Sequence, residues 1–188
     1  FLYMKGVDLL FKAAKIFAEQ ACVPEQMSYP RTSVTSFKIL LLGNGEYRTE
    51  LEKLALELGI EKQLVWVEAV LPEAVPEYIN CMDVLVLPSR TMPDWVEFFG
   101  RVLIEAMACR VPVIGSNSGE IANVIGEAGL IFSEGDPQTL AQHLLTIYRD
   151  QSVRYDLIER GAKHVHDFSW ETIAEKTLSA YADLLTEA

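Results

Sequence analysis

Basic residues are scarce in this chain. Lys and Arg number 16 against 27 Asp and Glu, a formal net charge of −11 over 188 residues. A nucleic acid needs a basic face to meet its phosphates, so none is expected as a partner. An anionic membrane surface is disfavoured by the same sign of charge. Long hydrophobic runs are also missing. The apolar stretches are as short as 39–42 and 84–87, whereas a membrane-spanning helix needs about 20 apolar residues. No membrane contact is therefore expected from this part of the protein. The opening residues do not read as a signal peptide. Phe1 is not a natural start, so something upstream is expected to be missing. Cysteine is sparse: Cys22, Cys81 and Cys109 are odd in number and far apart. That spacing fits neither a disulfide framework nor a zinc site. It suits buried free thiols in a reducing compartment, hence a cytoplasmic protein. Finally, no Asp-x-Asp occurs, so no metal carried by that motif is expected.

What is present is the mixture of a soluble globular domain, half hydrophobic and 23% charged. Its length suits one domain with a real core. Short apolar runs alternate with amphipathic stretches. The segments 37–45, 63–70, 83–89, 111–117 and 129–135 read as strands, apolar over consecutive residues as strands buried on both faces are. Helices are predicted over 7–20, 46–58, 72–81, 99–109, from 137, over 152–165 and over 169–185. Gly59 closes the second as a C-cap, and Asp136-Pro137 opens another with an N-cap and a proline at the first helical position. The proline-containing segment 23–36 reads as a surface loop. Strands alternating with helices predict an α/β fold, a Rossmann-like doubly wound parallel sheet with helices on both faces, as a single domain over 1–188. Such sheets bind ligands beyond the C-terminal ends of their strands. Those ends are Gly43-Asn44-Gly45, Val70-Leu71, Pro88-Ser89, 116–119 and 133–135.

The richest segment is LPSRTMPDWVEFFGRVLIEAMACRVPVIGSNSGE, residues 87–120. A loop carrying Trp95 and Glu97 follows a strand and leads through Phe98 and Phe99 into a helix near Gly100. Free backbone N–H groups at that helix start can hold an anion, and Gly100 lets a ligand come close. Arg101 adds a fixed positive charge. Glu105 lies five residues past Gly100, roughly 7.5 Å along the helix at 1.5 Å per residue. That separation suits a phosphate at the helix end and sugar hydroxyls one sugar away, which a carboxylate binds through paired hydrogen bonds. Glu97, on the other side of the anion site, is placed for a second sugar. For either glutamate alone, a preference for the helix N-terminal end is the plainer account. For the whole arrangement it is not. His164 and His166 are two apart on a helix and do not face one ligand, and His143 stands alone. Gly115-Ser116-Asn117-Ser118-Gly119 is a turn, not a nucleophile elbow.

The spacing Glu97-x7-Glu105 inside EFFGRVLIEAMACxVPVI resembles the signature of the family-four retaining glycosyltransferases, which have the GT-B fold. LPSRTMPDWVE, GLIFSEGDPQTLA and FSWETIAEKTLSAY are similar to further parts of that pattern, so the likeness runs from Lys5 to about Tyr181. The resemblance implies the C-terminal, donor-binding half of a GT-B fold. It implies a hexose transferred from a nucleoside diphosphate sugar, UDP- or GDP-linked, with retention at the anomeric carbon. Glu97 then contacts the donor sugar, Glu105 binds the ribose, and the amides of Gly100, Arg101 and Val102 hold the diphosphate. MKGVDLL at 4–10 resembles the family's R-x4-K-G element, which makes Lys5 a catalytic cation beside the diphosphate. The element's arginine falls immediately before Phe1. Gly43 and Gly45 lie beside the donor by resemblance, and Val70 at the next strand end joins them. Gly43-Asn44-Gly45 lacks the third glycine of the dinucleotide fingerprint.

There are two departures from the family pattern. Arg110 and Glu68 stand where the family usually has glycine. Arg110 reads as solvated at a helix end, and Glu68 changes the shape of the pocket for the base. With Lys, Arg and a helix end to neutralise the diphosphate, no metal and no cofactor are expected. The acceptor is expected on an N-terminal domain upstream of Phe1, and this part alone is expected to be inactive. Two alternatives share these residues: a nucleotide-sugar-binding module without catalysis, and a sugar-nucleotide epimerase of the same fold.

Overall fold

A computed structural model describes residues 1–21 and 37–186. Cys22 and the 23–36 segment, read above as a surface loop, lie outside the described residues. The order of elements is α1 (Val7–Ala21), β1 (Ile39–Leu42), α2 (Arg48–Leu58), β2 (Leu64–Val67), α3 (Val75–Ile79), β3 (Leu85–Leu87), α4 (Arg101–Ala108), β4 (Val113–Ser116), α5 (Ile121–Ile125), β5 (Leu130–Phe132), α6 (Pro137–Arg149), α7 (Gln151–His164) and α8 (Trp170–Thr186). All strand pairs are parallel, and they fall into two ladders, β1-β2 and β3-β4-β5.

Helices cover both faces. The clearest sign is β4, the centre of its ladder, where alternate side chains point to opposite faces. Val113 packs into a cluster with Leu103, Ala106 and Met107 of α4 and Ile121 and Ile125 of α5. Ile114 packs into another with Leu9 and Ala13 of α1 and Leu140 and Ala141 of α6. A third cluster joins α1, β1 and α2 through Phe11, Ala14, Ile39, Leu41 and Leu51. Each fully buried Leu, Ile or Phe contributes about 1.5–3 kcal/mol relative to exposure. α1 thus buries two sides, which is why its apolar residues are so dense.

The strands are shorter than their apolar runs suggest, and β2 differs in kind. Val65 is exposed because β2 pairs on one side only and forms the outer edge. Residues 72–81 form a 3-10 turn, Pro72–Ala74, followed by the short α3. α4 starts at Arg101 and not at Phe99, because Gly100 takes φ +77°. A Cβ there would sit 2.8 Å from Leu87 Cδ2. Asp136 caps α6 by accepting from the N–H groups of Gln138 and Thr139, both at 3.0 Å, as the Asp-Pro pair predicts. The thiols need a correction. Cys81 is exposed at the end of a short helix and Cys109 is only partly buried, so neither is the buried thiol the sequence suggested. Among the described residues no helix is long and apolar enough to cross a membrane.

Candidate active site

The C-terminal ends of β1, β3 and β4 meet at one place, and the segment Phe1–Gly6 crosses it. Residues Tyr3–Lys5 form a 3-10 turn that ends at Gly6 with φ 67°. A Cβ on Gly6 would lie 1.8 Å from the carbonyl oxygen of Pro88, so only glycine lets the turn lie against the end of β3. The Met4 carbonyl accepts from the Arg90 N–H at 2.8 Å. These contacts fix Lys5 above the loop that leaves β3.

Lys5 and Glu97, 92 positions apart in sequence, are bonded: Lys5 Nζ donates to Glu97 Oε2 at 2.8 Å. The Lys5 ammonium also lies 4.7 Å from the centre of the Trp95 ring, within cation–π range. Ser89 Oγ donates to the same Oε2 at 2.9 Å. Glu97 is mostly covered, its side chain 12% exposed, while that of Lys5 is 41% exposed. The pair is therefore half in solvent, and its Coulomb energy is screened. Ser89 is fully buried, and its own carbonyl accepts from Ser116 Oγ at 2.5 Å. The Glu97 carbonyl accepts from the Glu120 N–H at 3.0 Å. The Glu97 backbone is thus tied to the residues after β4 and its carboxylate to the end of β3.

α4 begins four residues beyond Glu97. The N–H groups of Gly100, Arg101 and Val102 have no acceptor among the described residues. They are the orphan donors of a helix N-terminus, where the positive end of the macrodipole also lies. Arg101 is exposed and has no carboxylate partner among the described residues. Glu105 is exposed further along the same helix. Phe98 is 74% exposed, and Phe99 packs edge-on to Phe168 with ring centres 5.8 Å apart. Together these groups can hold a dianion at the helix start with hydroxyls on either side.

A second ion pair braces the site. Arg90 Nη2 donates to Asp8 Oδ1 at 2.6 Å, and the guanidinium stacks on Tyr3 at 4.1 Å. Burial works against the Arg90 charge, but the hydrogen bond and charge of Asp8 more than offset it, so Arg90 is held charged above its ordinary range. Asp8 also sits in the first turn of α1, where a carboxylate is favoured.

At the end of β1, Gly43 donates to the Val67 carbonyl at 2.9 Å, and Gly45 lies against Phe1. Val70 is partly buried in the loop after β2. Glu68 accepts from Asn44 Nδ2 at 3.2 Å and from Arg48 Nη1 at 3.0 Å, so it belongs to a charged rim on this side. Arg110 is not simply solvated. It bonds Glu159 and carries φ 59°, the one positive φ outside glycine among the described residues. His143 Nε2 and His164 Nε2 bond the carbonyls of Ile131 and Val124, each at 3.0 Å, which is a structural use.

The sequence places Glu97, Lys5, Gly100 and Arg101 in one site; the structure bonds Lys5 to Glu97, which lies just ahead of Gly100 and Arg101 at the start of α4. It brings Lys5 onto Glu97 and not onto the helix start. Ser89, Arg90, Asp8 and Tyr3 escape sequence reasoning as site members. Ser89 is flagged by position, at a strand end, but nothing local reveals that it holds Glu97. Arg90 and Asp8 look like ordinary surface charges until the fold brings them together.

Comparison with known proteins points the same way. The family described as Glycosyl transferases group 1 matches residues 1–164. A D-inositol 3-phosphate glycosyltransferase of Acidothermus cellulolyticus (strain ATCC 43068 / DSM 8971 / 11B) is 27% identical over 191 aligned positions, which cover 98% of this chain and 39% of that protein. Among solved structures, the sucrose-phosphate synthase of Thermosynechococcus elongatus superposes with a TM-score of 0.76 at 26% identity, over 100% of this chain and 44% of its own. The Anabaena protein HepE, solved in complex with UDP, superposes with a TM-score of 0.77 at 21% identity, over 97% of this chain and 46% of its own. The last is a likeness of fold. The chain spans less than half the length of each of these proteins.

Proposed function

Because the chain belongs to the glycosyl transferases group 1 family, we propose that it is the donor-binding domain of a retaining hexosyltransferase, working with an N-terminal domain that holds the acceptor. The donor is a nucleoside diphosphate sugar, UDP- or GDP-linked, and the setting is cytoplasmic. The observation that carries this reading is the convergence of three free amides, Arg101, Lys5 and Glu97 at the C-terminal ends of parallel strands. The diphosphate lies on the amides of Gly100, Arg101 and Val102. Glu105 takes the ribose hydroxyls one turn further along. Gly43, Gly45 and Val70 line the side of the base, and Phe98 and Phe99 flank the phosphates. Glu97 takes the hydroxyls of the donor hexose.

The chemistry asked of this half is electrostatic. As the bond from the anomeric carbon to phosphate lengthens, negative charge grows on the leaving diphosphate. Preorganised N–H donors and cations stabilise that charge with little reorganisation. Lys5 serves this role once it leaves Glu97 for the phosphate. The donor's hydroxyls then replace the lysine on the carboxylate. No metal and no further cofactor are needed in this scheme.

The test is thermal. UDP or GDP is expected to raise the melting temperature of this chain in the presence of EDTA, since ligand binding to the native state stabilises it by RT ln(1 + [L]/Kd). Glu105→Ala should abolish the shift. A shift that survives Glu105→Ala removes the ribose role, and a shift that appears only with a divalent cation removes the metal-free reading.

A further inference from the structure

The loop that leaves β3 is tied to the loops after β4 and β5 at one residue. Thr91 gives both of its donors to one carboxylate: its N–H donates to Glu134 Oε2 at 2.6 Å and its Oγ1 to Glu134 Oε1 at 2.7 Å. Bonds to an ionised acceptor are short in this way and stronger than neutral ones. Thr91 Oγ1 also lies 3.1 Å from Ser118 Oγ, and Ser118 is fully buried. Since the Thr91 hydroxyl proton goes to the carboxylate, Ser118 is the donor in that contact. Glu134 stands two residues past β5, and its backbone is fixed in turn. The Glu134 N–H donates to Asn117 Oδ1 at 2.8 Å, and the Asn117 N–H donates to the Phe132 carbonyl at 3.0 Å.

What Thr91 fixes is the rest of the loop. Met92 and Trp95 exchange backbone bonds: the Met92 N–H donates to the Trp95 carbonyl at 2.7 Å, and the Trp95 N–H to the Met92 carbonyl at 3.3 Å. Residues 92–95 therefore form a closed turn that moves with Thr91 as one body. The Trp95 ring at the far end of that turn carries the Lys5 ammonium, 4.7 Å from its centre. Glu97, two residues on, takes the same ammonium at 2.8 Å. The stretch from Thr91 to Glu97 is thus held at its start by Glu134. At its end it is held by Ser89, on the carboxylate, and by the Glu120 N–H, on the carbonyl.

We propose that Glu134 is a positioning residue of the candidate active site: through Thr91 it latches the 92–95 turn, and with it Trp95 and the Lys5–Glu97 pair, at the C-terminal end of β3. Its part in the reaction rests on the hexosyltransferase reading of this site, in which Glu97 takes the donor hexose and Lys5 the leaving diphosphate. Glu134 bonds the loop and acts on where those two groups stand when the donor arrives. Misplacement of such groups by about 1 Å can cost about 10²-fold in rate. Nucleotide binding is spared in this scheme. The helix that carries the free amides and Glu105 is held by Leu103, Ala106 and Met107 in the core and does not depend on the start of the loop.

The test takes the full-length protein as wild type, Glu134→Ala and Glu134→Gln through two measurements. Amide hydrogen exchange, resolved by residue, needs no donor. In Glu134→Ala the Thr91, Met92 and Trp95 amides are expected to exchange at least about tenfold faster. β4, paired on both sides, stays protected and reports an intact fold. Kinetics with UDP- and GDP-hexoses and an acceptor mixture should show kcat lowered about 10- to 100-fold in Glu134→Ala. Affinity for bare UDP or GDP should change by less than about twofold, the split expected when an arrangement needed only in the transition state is lost. Glu134→Gln should keep most of both properties. Its side-chain carbonyl accepts from the Thr91 N–H, and its amide donates to Thr91 Oγ1, whose proton turns to Ser118. If Glu134→Ala does not fold, Thr91→Val, which loses the hydroxyl bond and keeps the N–H bond, makes the same comparison with smaller shifts. Unchanged exchange at the three amides overturns the latch. Faster exchange with unchanged turnover, equal losses in turnover and nucleotide affinity, or Glu134→Gln as impaired as Glu134→Ala overturns the positioning role. A wild-type protein that transfers no hexose overturns the transferase reading instead, and the exchange comparison still decides the latch.

Discussion

Glu97 accepts from Lys5 and Ser89 through the same oxygen, Oε2, and neither bond uses Oε1. Ser89 is buried and fixed by its own backbone, whereas Lys5 is half in solvent on a flexible stem. The serine therefore sets where the carboxylate points, and the lysine is the exchangeable partner. Replacing Glu97 by Gln removes the charge that a sugar hydroxyl would meet and frees Lys5. In the full-length protein, Glu97→Gln should lower turnover by about 10- to 150-fold, equivalent to a hydrogen bond to a charged group worth about 1.5–3 kcal/mol. Affinity for bare nucleoside diphosphate should stay level or rise, since the released lysine can reach phosphate. Steady-state kinetics and calorimetric titration separate the two effects. Parallel losses in both would mean that Glu97 binds nucleotide or only holds the loop. Lys5 and Glu97 were each legible in the sequence as candidate site residues through their motifs. Their pairing was not, because nothing local joins positions 5 and 97.

α4 shows how much an element reveals before its ends are seen. Its apolar spacing and its place between two strands identify it as a helix. The same alternation identifies all five strands and the long helices α1, α2, α6, α7 and α8. Five-residue α5 is too short to show a period, and the turn before α3 reads as part of a helix because Pro72 is as compatible with 3-10 as with α geometry. The end of α4 carries the clearest local conflict. The Val111 N–H reaches back to Ala106 O at 2.9 Å and the Arg110 N–H to Met107 O at 3.0 Å, the double bond pattern of a helix closed by a left-handed residue. That residue is Arg110, where the left-handed conformation costs roughly 1–2 kcal/mol. Its bond to Glu159 is on the surface, both side chains being more than half exposed, and is worth about 0–1 kcal/mol. Glycine here loses more unfolded-state freedom, about 0.5–1 kcal/mol. At mid-range the strain exceeds these two losses together by only about 0.25 kcal/mol, so Arg110→Gly should raise the melting temperature by up to about 1 °C for a domain of this size. Glu159→Gln should lower it by less than about 4 °C on the same scale. A lower melting temperature for Arg110→Gly, read by calorimetry, would show that the ion pair and the added freedom of the unfolded chain together outweigh the strain.

At the scale of the whole molecule, one sequence pattern produced the fold class, and the break in the sheet escaped it. Alternating strands and helices specify a parallel α/β sheet but not which neighbours are hydrogen-bonded. The position of the candidate site follows from that class, because the loop after β3 carries Glu97 and leads to the start of α4, and the turn that holds Lys5 packs against that loop. Phe98, Arg101 and Glu105 are exposed, and the Lys5 side chain is partly so. The chain also spans only 39% of the length of one glycosyltransferase relative and 44% of the sucrose-phosphate synthase chain. A cleft between two domains works by holding donor and acceptor in attack geometry, and such positioning can contribute about 7–11 kcal/mol to lowering the barrier. Losing it corresponds to a rate loss of roughly 10⁵-fold or more. The 188-residue chain, folded and saturated with donor, is therefore expected to transfer no sugar within detection. Slow donor hydrolysis can persist, since water needs no acceptor site. The assay pairs the purified chain and the full-length protein with labelled UDP- and GDP-hexoses and an acceptor mixture on which the full-length protein is active. Acceptor-dependent release of nucleoside diphosphate by the chain at a rate near that of the full-length protein would place the entire active site within these residues. The reading of this domain as half of a two-domain enzyme would then fail, while the donor site built on α4 would stand.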